Sequence, residues 1–506
     1  MSRTRRAGIT AVFGYAQFAL ALVSGIAMVP FILSRVPNDQ YGVWLAFGEV
    51  LAYSSMVDLG VVGVIPWLLA ESDGRGDRPA MRGLLAAGVI FSTVAAIVFV
   101  VLALAAFQLA PSVAKVTAAQ RAAVWGPLLF LVAATALTMP LRTFYAALIG
   151  LQDATFTGAL AVAQVALNVA LTGGLLLAGQ GLYALAAAVS LPGLVASLAS
   201  VARLRMIAPE LLRGWRFPGM ATLRSITAQG FGSWTAGLGW RMVAASDSII
   251  ILSVLGPAAA VVYAMTFKLG AVGMQMSWQL PDSGLVGLAQ LKGEGRPERV
   301  REITLALLRL VLITSGGVAC AIAAFNPSFV MLWVGPARFG GLALNAALAA
   351  VILSHSLSHG LFTTSATLGT RVQAGWAALL QGAVNLGAAI LLGRMWGLTG
   401  IALAAVLSTA LVAYPAGVWM VRRTTGLTHG ALLRQALAPW GVRAAILLLL
   451  GFAVSLAATR VWIWLPLPLA PVLAVLYLWA MKPLYAGLPL PARIRPLLLR
   501  LRLLPE

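Results

Sequence analysis

Four cations and three carboxylates interrupt stretches that are otherwise apolar: Arg142, Arg241, Lys268 and Arg309, and Glu49, Asp58 and Asp247. A charge at the centre of a bilayer costs at least about 2.5–3.5 kcal/mol, so such residues persist for binding, for ion movement or for pairing between helices. Arginine holds phosphate through paired hydrogen bonds and lysine holds it as a point charge, so these cations suit an anionic, phosphate-bearing substrate. Arg241 has about 14 residues of apolar span on each side, too deep for snorkelling, and Lys268 lies some 11 residues into its span. Arg142 and Arg309 stand nearer the ends of theirs.

The acids pose a separate question. Glu49 and Asp58 are nine residues apart, which on one straight helix turning 100° per residue puts them on opposite faces. Asp58, the deeper of the two, suits an ion pair with a cation of another helix, or coupling of transport to a proton or Na⁺. Arg241 and Asp247 are six residues apart, about 120° off one face, and are not expected to pair with each other. His355, His359 and Thr363 share a face at i, i+4, i+8 in SHSLSHGLFTTSAT (354–367). Two histidines at that spacing suit zinc, but no glutamate follows the first and no third ligand is evident, so the stripe reads as facing sugar or the helix bundle. With one cysteine (Cys320), three histidines and 14 acids, the chain has little material for enzymatic or metal chemistry.

These residues must be positioned by helices that lie in lipid. Of 506 residues, 61% are hydrophobic and 10% charged, with mean hydropathy +0.94; ordinary soluble domains carry about 25% charged residues. Apolar runs of about 20 residues predict fourteen spans, at 9–34, 41–70, 83–109, 123–149, 156–178, 181–202, 227–254, 257–290, 303–333, 340–366, 372–393, 397–421, 438–459 and 461–482. Alternation at a period of two is absent, which excludes a transmembrane β-barrel. The run after MSRTRR, about 25 residues, exceeds the roughly 7–15 residues of a signal-peptide core and reads as the first span. The net charge of +21 collects at span ends, where it meets anionic headgroups rather than nucleic acid. With the N-terminus inside, the cytoplasmic segments hold 24 Lys and Arg against six on the other side, so both termini are expected in the cytoplasm.

Short matches recur at one offset. ILS (32–34) returns at 251–253, LIGLQ (148–152) resembles TLGTR (367–371), QVALN (164–168) resembles QGAVN (381–385), and GLYALAAAVS (181–190) resembles GLTGIALAAVLS (397–408), all 216–219 residues apart. The unit is six spans, so both copies enter the membrane in the same sense and are related by an axis along the membrane normal. The expected organisation is an all-α integral membrane protein of about fourteen transmembrane helices. It comprises an N-terminal lobe (1–204, spans 1–6), an amphipathic cytoplasmic connector (205–226), a C-terminal lobe (227–424, spans 7–12), and spans 13–14 with a basic tail (425–506). The connector, with Trp215 and Phe217 among its cations, and the tail PARIRPLLLRLRLLPE (491–506) read as membrane-surface anchors. Gly60, Gly256, Pro66, Pro140 and Pro281 mark places where spans can bend. Short loops leave no room for an extracytoplasmic active site, which argues against a membrane glycosyltransferase or ligase.

The stretch PFILSRVPNDQYGVWLAFGEVLAYSSMVDLG (30–60) adds a further signal. A span ending in a proline and a basic residue is followed by Tyr41, Gly42 and Trp44, then by Tyr53 and Asp58-Leu59-Gly60 within span 2. The pattern resembles the opening of the polysaccharide-transporter branch, the Wzx-type flippases, of the multidrug/oligosaccharidyl-lipid/polysaccharide (MOP) exporter superfamily. The resemblance implies two lobes facing a central cavity that opens alternately to each side. It implies movement of an undecaprenyl-diphosphate-linked oligosaccharide, an O-antigen, capsule or exopolysaccharide unit, from the inner to the outer leaflet of the bacterial cytoplasmic membrane. The implied partners are that lipid-diphosphate-linked glycan, membrane lipids and polysaccharide polymerase machinery, with no nucleic acid. Span 1 (9–34) carries no charge, whereas the lipid II flippase branch is arginine-rich there and multidrug members often place an acid there. That favours the polysaccharide branch over the two alternatives, a lipid II flippase and a cation-coupled multidrug exporter. On this reading Arg241, Lys268, Arg142, Arg309, His355 and His359 are the substrate-binding candidates. Asp58, Glu49 and Asp247 are the ion-coupling or pairing candidates, and no catalytic residue, metal or cofactor is expected.

Overall fold

The computed structural model describes residues 3–58, 60–74, 76–113, 116–215, 219–244, 246–283, 285, 288, 291–292, 295–485 and 488. Among them every secondary-structure element is helical. Eleven helices are long and apolar enough to cross a membrane, with mean hydropathy of 2.8 in an 18-residue stretch of Arg78–Leu109. One of the eleven, Val372–Thr425, has 54 residues, roughly 80 Å of helix against a hydrocarbon core of about 30 Å. It breaks at Trp396 (φ −126°) and Gly397 (φ 60°, ψ −139°). A Cβ on Gly400 would lie 2.0 Å from the Leu392 carbonyl oxygen, so the chain folds back there and the segment supplies two spans. With the shorter apolar helices Val61–Ala70 and Pro466–Ala480, the structure is compatible with about fourteen spans in a multi-pass membrane protein.

The helices divide into two compact units, Met1–Trp234 with Gly256–Ala260, and Thr235–Leu255 with Val261–Glu506. The first contains α1 (Arg3–Leu33), α2 (Asn38–Ser54), α3 (Val61–Gly74), α4 (Arg78–Val113), α5 (Ala118–Gly150), α6 (Ala154–Leu177), α7 (Leu182–Ile207) and the start of α8 (Met220–Ala244). α5 packs against α3, α4 and α7, while α1 packs against α6. Their core is formed by Ile65, Leu69, Met81, Leu85, Leu148 and Leu204, each no more than 1% exposed. A capping box starts α5: Thr117 Oγ1 accepts from the Gln120 N–H (3.2 Å), and Gln120 Oε1 accepts from the Thr117 N–H (3.0 Å). Gln120 Nε2 also donates to Asp39 (3.1 Å), fastening this loop to the first turn of α2.

The expected connector is not a detached surface anchor over its first part. Residues 209–212 form a single 3₁₀ turn that inserts Leu211, fully buried, into the unit 1 core. Trp215 donates its indole N–H to the Leu211 carbonyl (2.7 Å) and stacks on Phe144. Phe217 and the 491–506 tail lie outside the described residues.

The second unit contains the end of α8, then α9 (Asp247–Val254), most of α10 (Pro257–Ser283), α11 (Pro297–Val334), α12 (Gly341–Ser365), α13 (Arg371–Ser408), α14 (Tyr414–Thr425), α15 (Ala438–Arg460) and α16 (Pro466–Ala480). α12 packs against α11, α13 and α14, and α15 lies along α11. Spans 13 and 14 dock through a bare backbone: Tyr477 donates to the Ile313 carbonyl (2.5 Å), and a Cβ on Gly316 would meet the Tyr477 hydroxyl at 2.6 Å.

Two expected continuous spans are interrupted. Span 2 is α2, a 3₁₀ turn Ser55–Asp58 and α3, with Gly60 at φ +73°. Span 7, expected over 227–254, starts earlier as α8, ends at Ala244 and resumes at Asp247. The Tyr41-Gly42-x-Trp44 motif proves to be packing chemistry. Tyr41 and Trp44 are buried, and Gly42 lies so close to Pro257 that a Cβ would stand 2.0 Å from its carbonyl oxygen. We therefore expect Gly42→Ala to cost about 1–3 kcal/mol through overpacking. Thermal melting of the purified protein should show this, with Gly63→Ala, whose Cβ would meet nothing within 4 Å, as the silent control.

Candidate functional site

The acid of span 2 builds the break it sits in. Asp58 Oδ1 accepts the Gly60 N–H (3.1 Å), an Asx turn that replaces the helical bond lost there. The Trp234 indole donates to the Met56 carbonyl (2.7 Å), satisfying another group that the break frees. Arg142 is exposed and makes no hydrogen bond or ion pair among the described residues. Glu49 stands half-buried on α2, separated from Asp58 by the 3₁₀ turn, so the opposite-face argument for one straight helix does not apply.

In unit 2 the candidates disperse. Arg241 stands in the last turn of α8, beside the break, rather than at the middle of a continuous span. The same break voids the wheel argument for Arg241 and Asp247. Asp247 opens α9 and accepts a hydrogen bond from the Tyr263 hydroxyl (2.5 Å). Arg309 Nε donates to the Gln435 carbonyl (3.0 Å), tying α11 to the turn before α15. Lys268 of α10 is half-buried and makes no hydrogen bond or ion pair among the described residues.

The histidine stripe is not uniform. His355 is buried, at 3% exposure, and the Thr363 hydroxyl bonds back to the His359 carbonyl (2.8 Å). His359 meets a residue that sequence reasoning missed: its Nε2 lies 3.0 Å from both carboxylate oxygens of Asp282 on α10. The imidazole stacks on Trp278 at 4.2 Å and 8°, and the Trp278 indole N–H donates to Ser356 Oγ (2.9 Å). A signal was present, since Asp58-Leu59-Gly60 of span 2 recurs as Asp282-Ser283-Gly284 in span 8. A second missed network is buried nearer the end of α11. Asn326 Nδ2 donates to the Thr266 carbonyl and to Asn345 Oδ1 (both 2.8 Å), and Asn345 Nδ2 donates to the Ile322 carbonyl (3.1 Å).

No family model matches this sequence, and no curated protein matches it. Solved structures do. The lipid II flippase MurJ in an inward-closed conformation aligns over 94% of this chain and 98% of its own, with TM-score 0.65 and 11% identity. Multidrug-resistance MATE transporters of the MOP superfamily align in an inward-facing form (TM-score 0.62, 15% identity, 84% of this chain and 99% of that one) and an outward-facing form (0.60, 14%, 83% and 96%). The fold is that of the MOP transporters. Among the described residues, Arg142 and Lys268 make no hydrogen bond or ion pair, and His359 Nε2 lies 3.0 Å from Asp282.

The Asx turn separates charge from structure at Asp58. Asp58→Asn keeps an oxygen for the Gly60 N–H, whereas Asp58→Ala leaves that N–H unpaired, a loss of about 1–3 kcal/mol. We expect Asp58→Ala to melt several degrees below Asp58→Asn in a thermal scan of the purified protein.

Proposed function

We propose that this protein is a flippase for an anionic lipid-linked glycan, a diphosphate-bridged oligosaccharide on a prenyl carrier, moved from the inner to the outer leaflet by alternating access. The observation that carries the reading is that each unit holds a cation within a membrane span, Arg142 in unit 1 and Lys268 in unit 2, that makes no hydrogen bond or ion pair among the described residues. A fixed cation in hydrocarbon is costly unless something answers it. A diphosphate supplies two negative charges and several acceptor oxygens, while its prenyl tail stays in lipid. The MOP fold supports the transport class, and the likeness to MurJ, a lipid II flippase, supports a lipid-linked substrate. The polysaccharide branch is supported by the motif of residues 30–60 and by the uncharged span 1. The setting is a bacterial cytoplasmic membrane with both termini inside, supported by the 24-to-6 distribution of basic residues.

The test is surface-glycan export in cells that carry single substitutions at normal membrane levels. A hydrogen bond to a charged group is worth about 1.5–3 kcal/mol, so Arg142→Ala and Lys268→Ala should each lower export roughly tenfold or more. Full export by both variants refutes the cationic site. Unchanged glycan with lost drug resistance on gene deletion favours a multidrug exporter instead.

A further inference from the structure

Lys268 is one member of a longer polar stripe on α10. At 100° per residue, Lys268, Gln275, Gln279 and Asp282 fall within about 60° of one another around the helix, at i, i+7, i+11 and i+14. The stripe runs about 21 Å along the axis, with Gln275 and Gln279 roughly 10 and 16 Å from Lys268. The opposite face is the one that packs: Tyr263, Thr266, Met274 and Ser277 are each no more than 7% exposed. A Cβ on Gly273 would lie 2.6 Å from Val318 of α11, and one on Gly270 would lie 3.2 Å from Ile352 of α12. The stripe therefore points away from the packed body of unit 2.

Gln275 and Gln279 are exposed, Lys268 is half-buried, and none of the three makes a hydrogen bond or ion pair among the described residues. Asp282 differs, because His359 Nε2 lies 3.0 Å from it, yet its side chain remains 38% exposed. An amide facing hydrocarbon loses the hydrogen bonds that water gives it, and a charge loses more. Polar groups repeated along one face of a span, without protein partners, are answered by water or by a polar ligand. The duplication does not repeat the two amides. At offsets of 216–219 their positions in the first copy fall within Met56–Leu59 and Gly60–Gly63, where there is no glutamine.

We propose, on the basis of the diphosphate-glycan reading above, that Gln275 and Gln279 form a sugar-binding ladder on α10, bonding hydroxyl groups of the glycan while Lys268 holds the diphosphate. A glutamine side chain suits a sugar because it offers both an acceptor oxygen and an NH₂ donor. One amide thus accepts from one hydroxyl and donates to the oxygen of the next, whereas a lysine cannot accept and a carboxylate cannot donate. The order along the helix matches the order along the ligand. The cation comes first, then two amides about one turn apart, as the sugars extend away from the phosphates. Asp282, held by His359, keeps lone pairs for a further hydroxyl.

The test uses the full-length protein in lipid nanodiscs and two probes, citronellyl methyl diphosphate and citronellyl-diphosphate-linked N,N′-diacetylchitobiose. Both are diphosphate diesters of equal charge, so they differ in the sugar. A neutral hydrogen bond is worth about two- to tenfold in affinity, so wild type should bind the glycosylated probe about tenfold or more tightly than the methyl ester. Gln275→Ala with Gln279→Ala should remove most of that preference and melt within a few degrees of wild type, since neither amide bonds the protein. Lys268→Ala should weaken both probes by the same factor. Met276→Ala, on the exposed side of α10 but without a hydrogen-bonding group, should keep the preference. Equal binding of the two probes by wild type, or an unchanged preference in the double variant, overturns the ladder and leaves the diphosphate reading standing. If wild type binds neither probe, the diphosphate reading fails and the ladder with it. A second measurement needs no ligand: Gln275→Cys and Gln279→Cys, each combined with Cys320→Ser, should react in membranes with a charged thiol reagent. A position that stays inert faces lipid or protein and overturns the proposal.

Discussion

Hydrocarbon offers no hydrogen bonds, and many polar groups among the described residues are arranged to answer that constraint. Where span 2 breaks, Asp58 takes the Gly60 N–H and Trp234 caps the Met56 carbonyl. Where span 10 ends in a π-turn with Gly369 at φ 116°, Lys292 binds the Leu368 carbonyl at 2.6 Å. Buried hydroxyls turn back to their own helix, as Thr138, Ser190, Ser200 and Ser315 do to carbonyls four residues earlier. Arg142 and Lys268 make no hydrogen bond or ion pair among the described residues.

Much of the architecture was legible in the sequence because lipid makes its demand locally. A run of about 20 apolar residues is a span whatever its neighbours do, so the spans emerged from hydropathy alone, including the pair hidden inside one 54-residue helix. The breaks were less legible. Gly60 and Asp58 marked the one in span 2, but the wheel geometry that set Glu49 against Asp58 assumed a straight helix. The interruption of span 7 between Ala244 and Asp247 has no glycine or proline within it.

The site was legible in kind and not in pairing. Residue types identified the intramembrane charges, but partner choice depends on side chains brought together from different helices, such as Asp282 with His359, 77 residues apart, and Asp247 with Tyr263, 16 residues apart. Arg309 donates to the Gln435 carbonyl, a tie between α11 and the turn before α15 that residue type alone did not reveal. Asp58 bonds within its own break, to the Gly60 N–H, and its residue type did not reveal that either.

The central claim is that this fold carries a lipid by its anionic diphosphate. The direct measurement places the purified protein in sealed vesicles and follows transfer between leaflets of a fluorescent prenyl-diphosphate oligosaccharide. An analogue with an uncharged ether in place of the diphosphate serves as the comparison. The account predicts protein-dependent transfer of the diphosphate lipid and none of the ether. Equal transfer of both lipids, or transfer of the ether alone, would contradict it.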